Sequence, residues 1–233
     1  MPAYKHLFFD LDHTLWDFER NSNETLADLY DHFGLATFGV SGKSLLQQTF
    51  GQVNAQLWHL HDTNRITKAE LRHRRFREVM SALGCDEHPH CDEYSEWYLA
   101  QCSYKPHLLP GTKELLDYLA PKYEMHILTN GFDEVQAIKM SSSGITDYFR
   151  EVITVSRAGA QKPEEKMFRF ALELTGAAVS ESLMIGDNPE TDIAGALSVG
   201  MDAVYFRPEQ SHYPAYEHAT YQISELRELH KLL

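Results

Sequence analysis

Positive charge is in short supply in this chain. Its 21 lysines and arginines face 34 aspartates and glutamates across 233 residues, a formal net charge of −13. A surface of that sign is repelled by nucleic-acid backbones and anionic membranes, so a nucleic-acid polymer and a membrane are both excluded as expected partners. An anionic small molecule would need a locally placed cation. Cysteine is scarce too: Cys85, Cys91 and Cys102 form an odd, scattered set, which speaks against a disulfide scaffold and for a reducing compartment. The chain opens with a core strand rather than a signal peptide, so the expected location is the cytoplasm. No apolar stretch approaches the roughly 20 residues of a membrane helix. Internal repeats and low-complexity tracts are missing as well. What is present is enough to build a core without staples, with 43% hydrophobic and 12% aromatic residues.

Short apolar runs alternate with amphipathic ones, the pattern of strands and helices around a parallel sheet. Strands are expected at Lys5 to Asp10, Glu124 to Leu128, Glu151 to Val155, Ser182 to Ile185 and Asp202 to Tyr205. Helices are expected at Thr112 to Ala120, Asp133 to Ser142, Glu164 to Thr175 and Glu190 to Val199, with a closing amphipathic helix over Ile223 to Leu233. Residues 17–105 break the alternation. Leu26, Leu29, Tyr30 and Phe33, then Leu46, Phe50, Val53, Leu57 and Leu60, then Leu71, Phe76, Val79 and Leu83 recur at helical spacing. The expected organisation is an α/β core of residues 1–16 and 106–233, its mainly parallel sheet flanked by helices, with an inserted all-helical domain of about four helices over 17–105. Pro106 and Pro110-Gly111 mark the return to the core.

Four motifs sit where expected strands end, and the carboxyl ends of a parallel sheet form its ligand crevice. In the first, Asp10-Leu11-Asp12, one carboxylate can attack phosphorus while the other gives a proton to the leaving group and then activates water. A turn or helix cap would use the same residues. In the second, Thr129-Asn130-Gly131, a hydroxyl and backbone N–H groups can wrap a phosphoryl oxygen, although Asn-Gly is equally a turn signal. In the third, Lys162 before Pro163 can balance charge on a transferred phosphoryl group, whereas most lone lysines are solvated. In the fourth, Gly186-Asp187 to Asp192, Asp187 can complete a Mg²⁺ site begun by Asp10. Asp192 can support that site, orient Lys162, or simply favour a helix dipole.

Together the four resemble the haloacid dehalogenase superfamily of aspartyl-nucleophile phosphohydrolases, whose motifs read Asp-x-Asp-x-Thr, an apolar run ending in Ser or Thr, a Lys, and Gly-Asp-x-x-x-x-Asp. The resemblance covers about Lys5 to Tyr205. It implies a Rossmann-like core with a helical cap, Asp10 as nucleophile and Asp12 as acid and base. It further implies a phosphoryl site of Thr129, Asn130, Gly131 and Lys162, and Mg²⁺ on Asp10, the Asp12 carbonyl and Asp187. His13 departs from the pattern, since the family often has glycine or another small or acidic residue there; that puts no chemical role in doubt but would crowd the nucleophile loop. Dehalogenases of the family resemble Asp-x-Tyr instead and dispense with metal, so Asp12 favours phosphoester hydrolysis over halide removal.

Finer matches resemble the bacterial house-cleaning pyrimidine 5′-nucleotidases: Thr14-Leu15-Trp16-Asp17-Phe18, Leu57-Trp58, Ile66-Thr67, Leu71, His73, Arg75-Phe76 and Thr129-Asn130-Gly131-Phe132. Phe18 or Trp58 can stack on a base and Arg75 can meet a polar substrate edge, although aromatic residues in a helical domain mostly form its core. The expected activity is Mg²⁺-dependent hydrolysis of a small phosphomonoester, preferentially a nucleoside monophosphate, by a monomer or weak homodimer. The alternatives are a sugar-phosphate phosphatase, a phosphomutase and a non-enzymatic phosphate-binding module. Cys85, His88, His90 and Cys91 crowd one loop, but their spacing fits no familiar zinc-ligand pattern.

Overall fold

The computed structural model describes residues 4–85, 89–209, 213 and 216–233. The chain divides into two compact units, one of residues 1–18 and 106–233 and the other of residues 19–105. The first unit holds a six-stranded sheet. Strand β1 (His6–Phe9) is its first element; Leu7, Phe8 and Phe9 are fully buried, as suits a strand covered on both faces. The unit extends through Phe18 rather than stopping at Trp16. The Asp17 N–H donates to the His107 carbonyl at 3.1 Å, and the Phe18 ring lies 4.8 Å from that of His13 and 6.2 Å from that of Trp16.

Helix α1 (Phe18–His32) leads into the second unit, followed by α2 (Lys43–Asp62), α3 (Lys68–Ala82) and α4 (Cys91–Cys102). Thr67 starts α3 with a capping box, accepting from the Glu70 N–H at 3.2 Å while its own N–H donates to the Glu70 carboxylate at 2.7 Å. The apolar stripes of α2, α3 and α4 meet in an aromatic cluster of Phe50, Phe76, Tyr94 and Tyr98, with ring centroids 4.8 to 6.0 Å apart. His88 of the cysteine and histidine loop lies outside the described residues. Cys85 donates to the Phe38 carbonyl and His90 pairs with Glu93, and among the described residues these loop positions form no metal-ligand cluster.

Back in the first unit the order is α5 (Thr112–Leu119), β2 (Glu124–Leu128), α6 (Asp133–Ser142), β3 (Glu151–Ile153), α7 (Val155–Ala158), α8 (Glu165–Thr175), β4 (Ser182–Gly186), α9 (Ala194–Ser198), β5 (Asp202–Phe206) and β6 (Tyr221–Ile223). The sheet order is β3-β2-β1-β4-β5-β6 and every pairing is parallel. The chain winds outward from β1 on one side and then on the other, which makes β1 the switch point of a doubly wound fold. Three expectations need correction. The expected strand over Glu151 to Val155 stops at Ile153, where Thr154 leads into the short α7. The expected closing helix is a short strand, β6, and a 3-10 turn over Leu226–Lys231. The helix expected from Glu190 begins as a π turn, Pro189–Ile193, before α9. Among the described residues no helix is long and apolar enough to cross a membrane.

Candidate active site

Register brings the four motifs to one edge. Phe9 lies opposite Ile127 of β2 and Ile185 of β4, so Asp10, Thr129 and Asp187 each leave a strand at nearly the same level. Asp10 extends the ladder, its N–H donating to the Ile185 carbonyl at 2.9 Å. Lys162 reaches this edge from the loop before α8. Its Nζ lies 2.6 Å from Asp10 Oδ1 and 2.6 Å from Asp192 Oδ1, and the residue is 2% exposed. The solvated-lysine reading therefore does not hold. Asp192 both pairs with Lys162 and stands in one carboxylate cluster with Asp10 and Asp187, so its geometry serves two of the three roles open to it. Its other oxygen accepts the Asn188 N–H at 3.1 Å.

The π turn and a glycine make room for that pair. A Cβ at Gly186 would stand 2.2 Å from Asp192 Oδ2. Asn188 caps the turn, its Oδ1 accepting from the Glu190 and Thr191 N–H groups at 2.9 and 3.2 Å. Asp187 receives a hydrogen bond from the Thr14 hydroxyl at 3.2 Å.

Ligand oxygens of Asp10, Asp187 and Asp192 all lie within 4.8 Å of one another. Burial, opposed by Lys162 and reinforced by Asp192, pushes the Asp10 carboxyl up to about 7. Burial and the neighbouring Asp10 and Asp192 charges drive Asp187 well above the carboxylate range. One ammonium cannot neutralise three carboxylates, and the donor set is all oxygen. That arrangement fits a hard divalent cation.

Asp12 is placed differently. Lys139 Nζ donates to its Oδ1 at 2.5 Å and Gln136 Nε2 to its Oδ2 at 2.9 Å. Burial alone would raise its pKa, but Lys139 and Gln136 outweigh that and hold it below the usual range. Lys139 is itself buried and sits 4.3 Å over the Trp16 ring. The same Gln136 amide donates to Thr129 Oγ1 at 2.8 Å, which also accepts the Gly131 N–H at 3.0 Å. A Cβ on Gly131 would lie 2.1 Å from Gln136 Nε2, so glycine there lets the glutamine reach both motifs. The Asn130 side chain is committed to the Lys162 backbone, donating to its carbonyl at 3.0 Å and accepting its N–H at 2.8 Å.

Lys139 and Gln136 were not among the residues expected from the sequence, and Thr14 stood there only as part of a motif, without a role of its own. The signal available for the first two was a polar pair three residues apart on the face of α6 that turns inward. His13 adopts φ 63, a left-handed conformation that glycine occupies freely and other residues rarely. Phe18 belongs to the first unit, whereas Trp58 and Arg75 belong to the second. Trp58 is half-buried on α2 with its ring 5.4 Å from that of His61. Arg75 is 3% exposed on α3, its guanidinium 5.9 Å from the Phe50 ring and 5.8 Å from that of Tyr98.

Comparison with known proteins places the chain in a family. The chain is 29% identical to pyrimidine 5′-nucleotidase PynA of Streptococcus pneumoniae, over 97% of this chain and 93% of that protein. It is 28% identical to pyrimidine 5′-nucleotidase YjjG of Escherichia coli, over 97% and 96% of the two chains. The structure of HAD-hydrolase YfnB of Bacillus subtilis bound to magnesium superposes with a TM-score of 0.87 at 23% identity, covering 99% of this chain and 98% of that one, a likeness of fold. The family model for haloacid dehalogenase-like hydrolases matches residues 4–200, and the chain belongs to that family.

Proposed function

We propose that this protein is a phosphomonoesterase that works through an aspartyl-phosphate on Asp10, with a pyrimidine nucleoside monophosphate as its preferred substrate. The observation that carries the chemistry is Lys162, buried and bridging Asp10 and Asp192 at 2.6 Å each beside Asp187. A fixed ammonium at the nucleophile stabilises negative charge on a phosphoryl group without reorganisation. Asp10 attacks phosphorus; the P–O bond to the leaving group breaks as Asp12 gives that oxygen a proton. Water then attacks the phosphoenzyme, Asp12 takes its proton back, and inorganic phosphate leaves Asp10.

The Lys139 and Gln136 contacts keep Asp12 ionised at rest, the form required in the second step. For the first it must gain a proton, and an arriving phosphate dianion favours that by placing negative charge beside it. Thr129 and the Asn130 and Gly131 backbone hold phosphoryl oxygens, with Gln136 fixing the Thr129 hydroxyl. Asp10, the Asp12 carbonyl and Asp187 would hold Mg²⁺, which when bound neutralises phosphoryl oxygens as a Lewis acid. Asp192 acts through Lys162.

The nucleotide preference is supported by the two nucleotidase relatives, which align over nearly the whole chain. In this reading Arg75, Trp58 and Phe18 are the side chains that would recognise the nucleoside. Phosphate release by the purified protein, with Mg²⁺ and then with chelator, across nucleoside monophosphates, sugar phosphates and an aryl phosphate is the test. Metal-dependent release led by pyrimidine monophosphates is expected. Release led by sugar phosphates would overturn the substrate, and release indifferent to chelator would overturn the metal.

A further inference from the structure

We infer that the amino ends of β1 and β2 carry a second metal site, for a first-row transition ion such as Zn²⁺, built from His6, His126 and Glu124. Parallel pairing sets His6 directly beside Glu124, and His126 follows two residues along on the same face. His6 Nδ1 lies 3.3 Å from His126 Nε2 and 3.8 Å from Glu124 Oε2. Tetrahedral Zn²⁺ with Zn–N bonds of about 2.0–2.1 Å holds its donors about 3.3 Å apart, the separation of the two imidazole nitrogens here, and each ring turns in its plane to aim at the ion rather than at the other nitrogen. Glu124 has a short adjustment to make, and its side chain is 44% exposed and able to make it. Its other oxygen is engaged by Arg150 Nη1 at 2.8 Å, leaving Oε2 directed to His6.

The His126 ring is held by packing, stacked 5.6 Å from His6 and 4.9 Å from Phe8. Its Nδ1 is buried with no hydrogen-bond partner, so nothing on the far side of the ring competes for its orientation. The two ring nitrogens that face each other share one hydrogen bond at most, and a cation satisfies both lone pairs. The half-buried His6 and exposed Glu124 leave a route in from solvent.

The ligand set separates this site from the aspartate cluster. Imidazole suits Zn²⁺ and its neighbours, whereas all-oxygen donors suit Mg²⁺. The two lie at opposite ends of β1, about 13 Å apart at about 3.3 Å per residue. An ion there would clamp β1 to β2 where the sheet begins and leave phosphoryl chemistry untouched.

Titration of the whole protein with Co²⁺ in a large excess of Mg²⁺ tests this, because four-coordinate Co²⁺ bound to imidazole absorbs visibly more strongly than octahedral Co²⁺ on oxygens. One equivalent of the tetrahedral spectrum is expected, displaced by Zn²⁺. His6→Ala and Glu124→Gln should each weaken binding at least tenfold, with the Mg²⁺-supported hydrolysis rate unchanged as proof of fold. A spectrum that never appears, or one that survives either substitution, overturns the site.

Discussion

Buried charge is handled in opposite ways in the two units. In the sheet-bearing unit the buried ammonium groups are matched: Lys162 lies between Asp10 and Asp192, and Lys139 lies against Asp12. In the helical unit the buried guanidinium of Arg75 faces aromatic rings, and its Nε has no hydrogen-bond partner. Taking a charge from water is expensive, and partners recover most of that only where geometry is good. The first unit spends its acids on holding cations in fixed places, which is what phosphoryl transfer requires. The second holds its buried cation among aromatic rings, with no carboxylate to fix it.

The largest effects should come from breaking the matched side. Asp10→Asn should lower turnover by roughly four orders of magnitude or more while the protein stays folded by circular dichroism. Turnover of even a few percent would remove Asp10 as nucleophile. Lys162→Met leaves Asp10, Asp187 and Asp192 close together without their ammonium, and unfolding in urea should show a loss of about 3–5 kcal/mol. An unchanged midpoint would mean that the carboxylates simply protonate. Lys139→Met should slow hydrolysis of alkyl phosphates by about 10- to 100-fold and aryl phosphates by less, because a good leaving group needs little help from Asp12. Equal losses on both would limit Lys139 to structure.

The unmatched side should respond in the other direction. Arg75→Met removes a buried charge without stranding an acid, so stability should hold or rise by about 1 kcal/mol while kcat/KM for nucleotides falls. A loss of stability above about 2 kcal/mol would show that the aromatic contacts are its main purpose. The smallest change expected is His13→Gly, which relieves the left-handed backbone and should stabilise by up to about 1 kcal/mol in thermal melts.

Much of the site was legible in the chain. Aspartates that follow apolar runs mark strand ends, and a parallel sheet brings strand ends together, so Asp10, Thr129 and Asp187 could be placed without coordinates. Lys139 and Gln136 could not, because a lysine inside an amphipathic helix looks the same whether it faces water or a carboxylate 127 residues away in sequence. The ambiguity of Asp192 had the same origin. A first-turn acid on a regular helix would serve the dipole, whereas the π turn and the absent Cβ at Gly186 turn it toward Lys162.

Local sequence determined the alternation of elements, the strand-end chemistry and the helical character of residues 19–105, because side-chain periodicity and Gly and Pro punctuation act within a few residues. Tertiary structure decided which charges meet. It drew Lys139 onto Asp12, drew Lys162 between two acids, left Arg75 among rings, and set His6 against His126. Such pairings depend on register and helix docking across the whole chain, and burial makes their energies large enough to choose one arrangement.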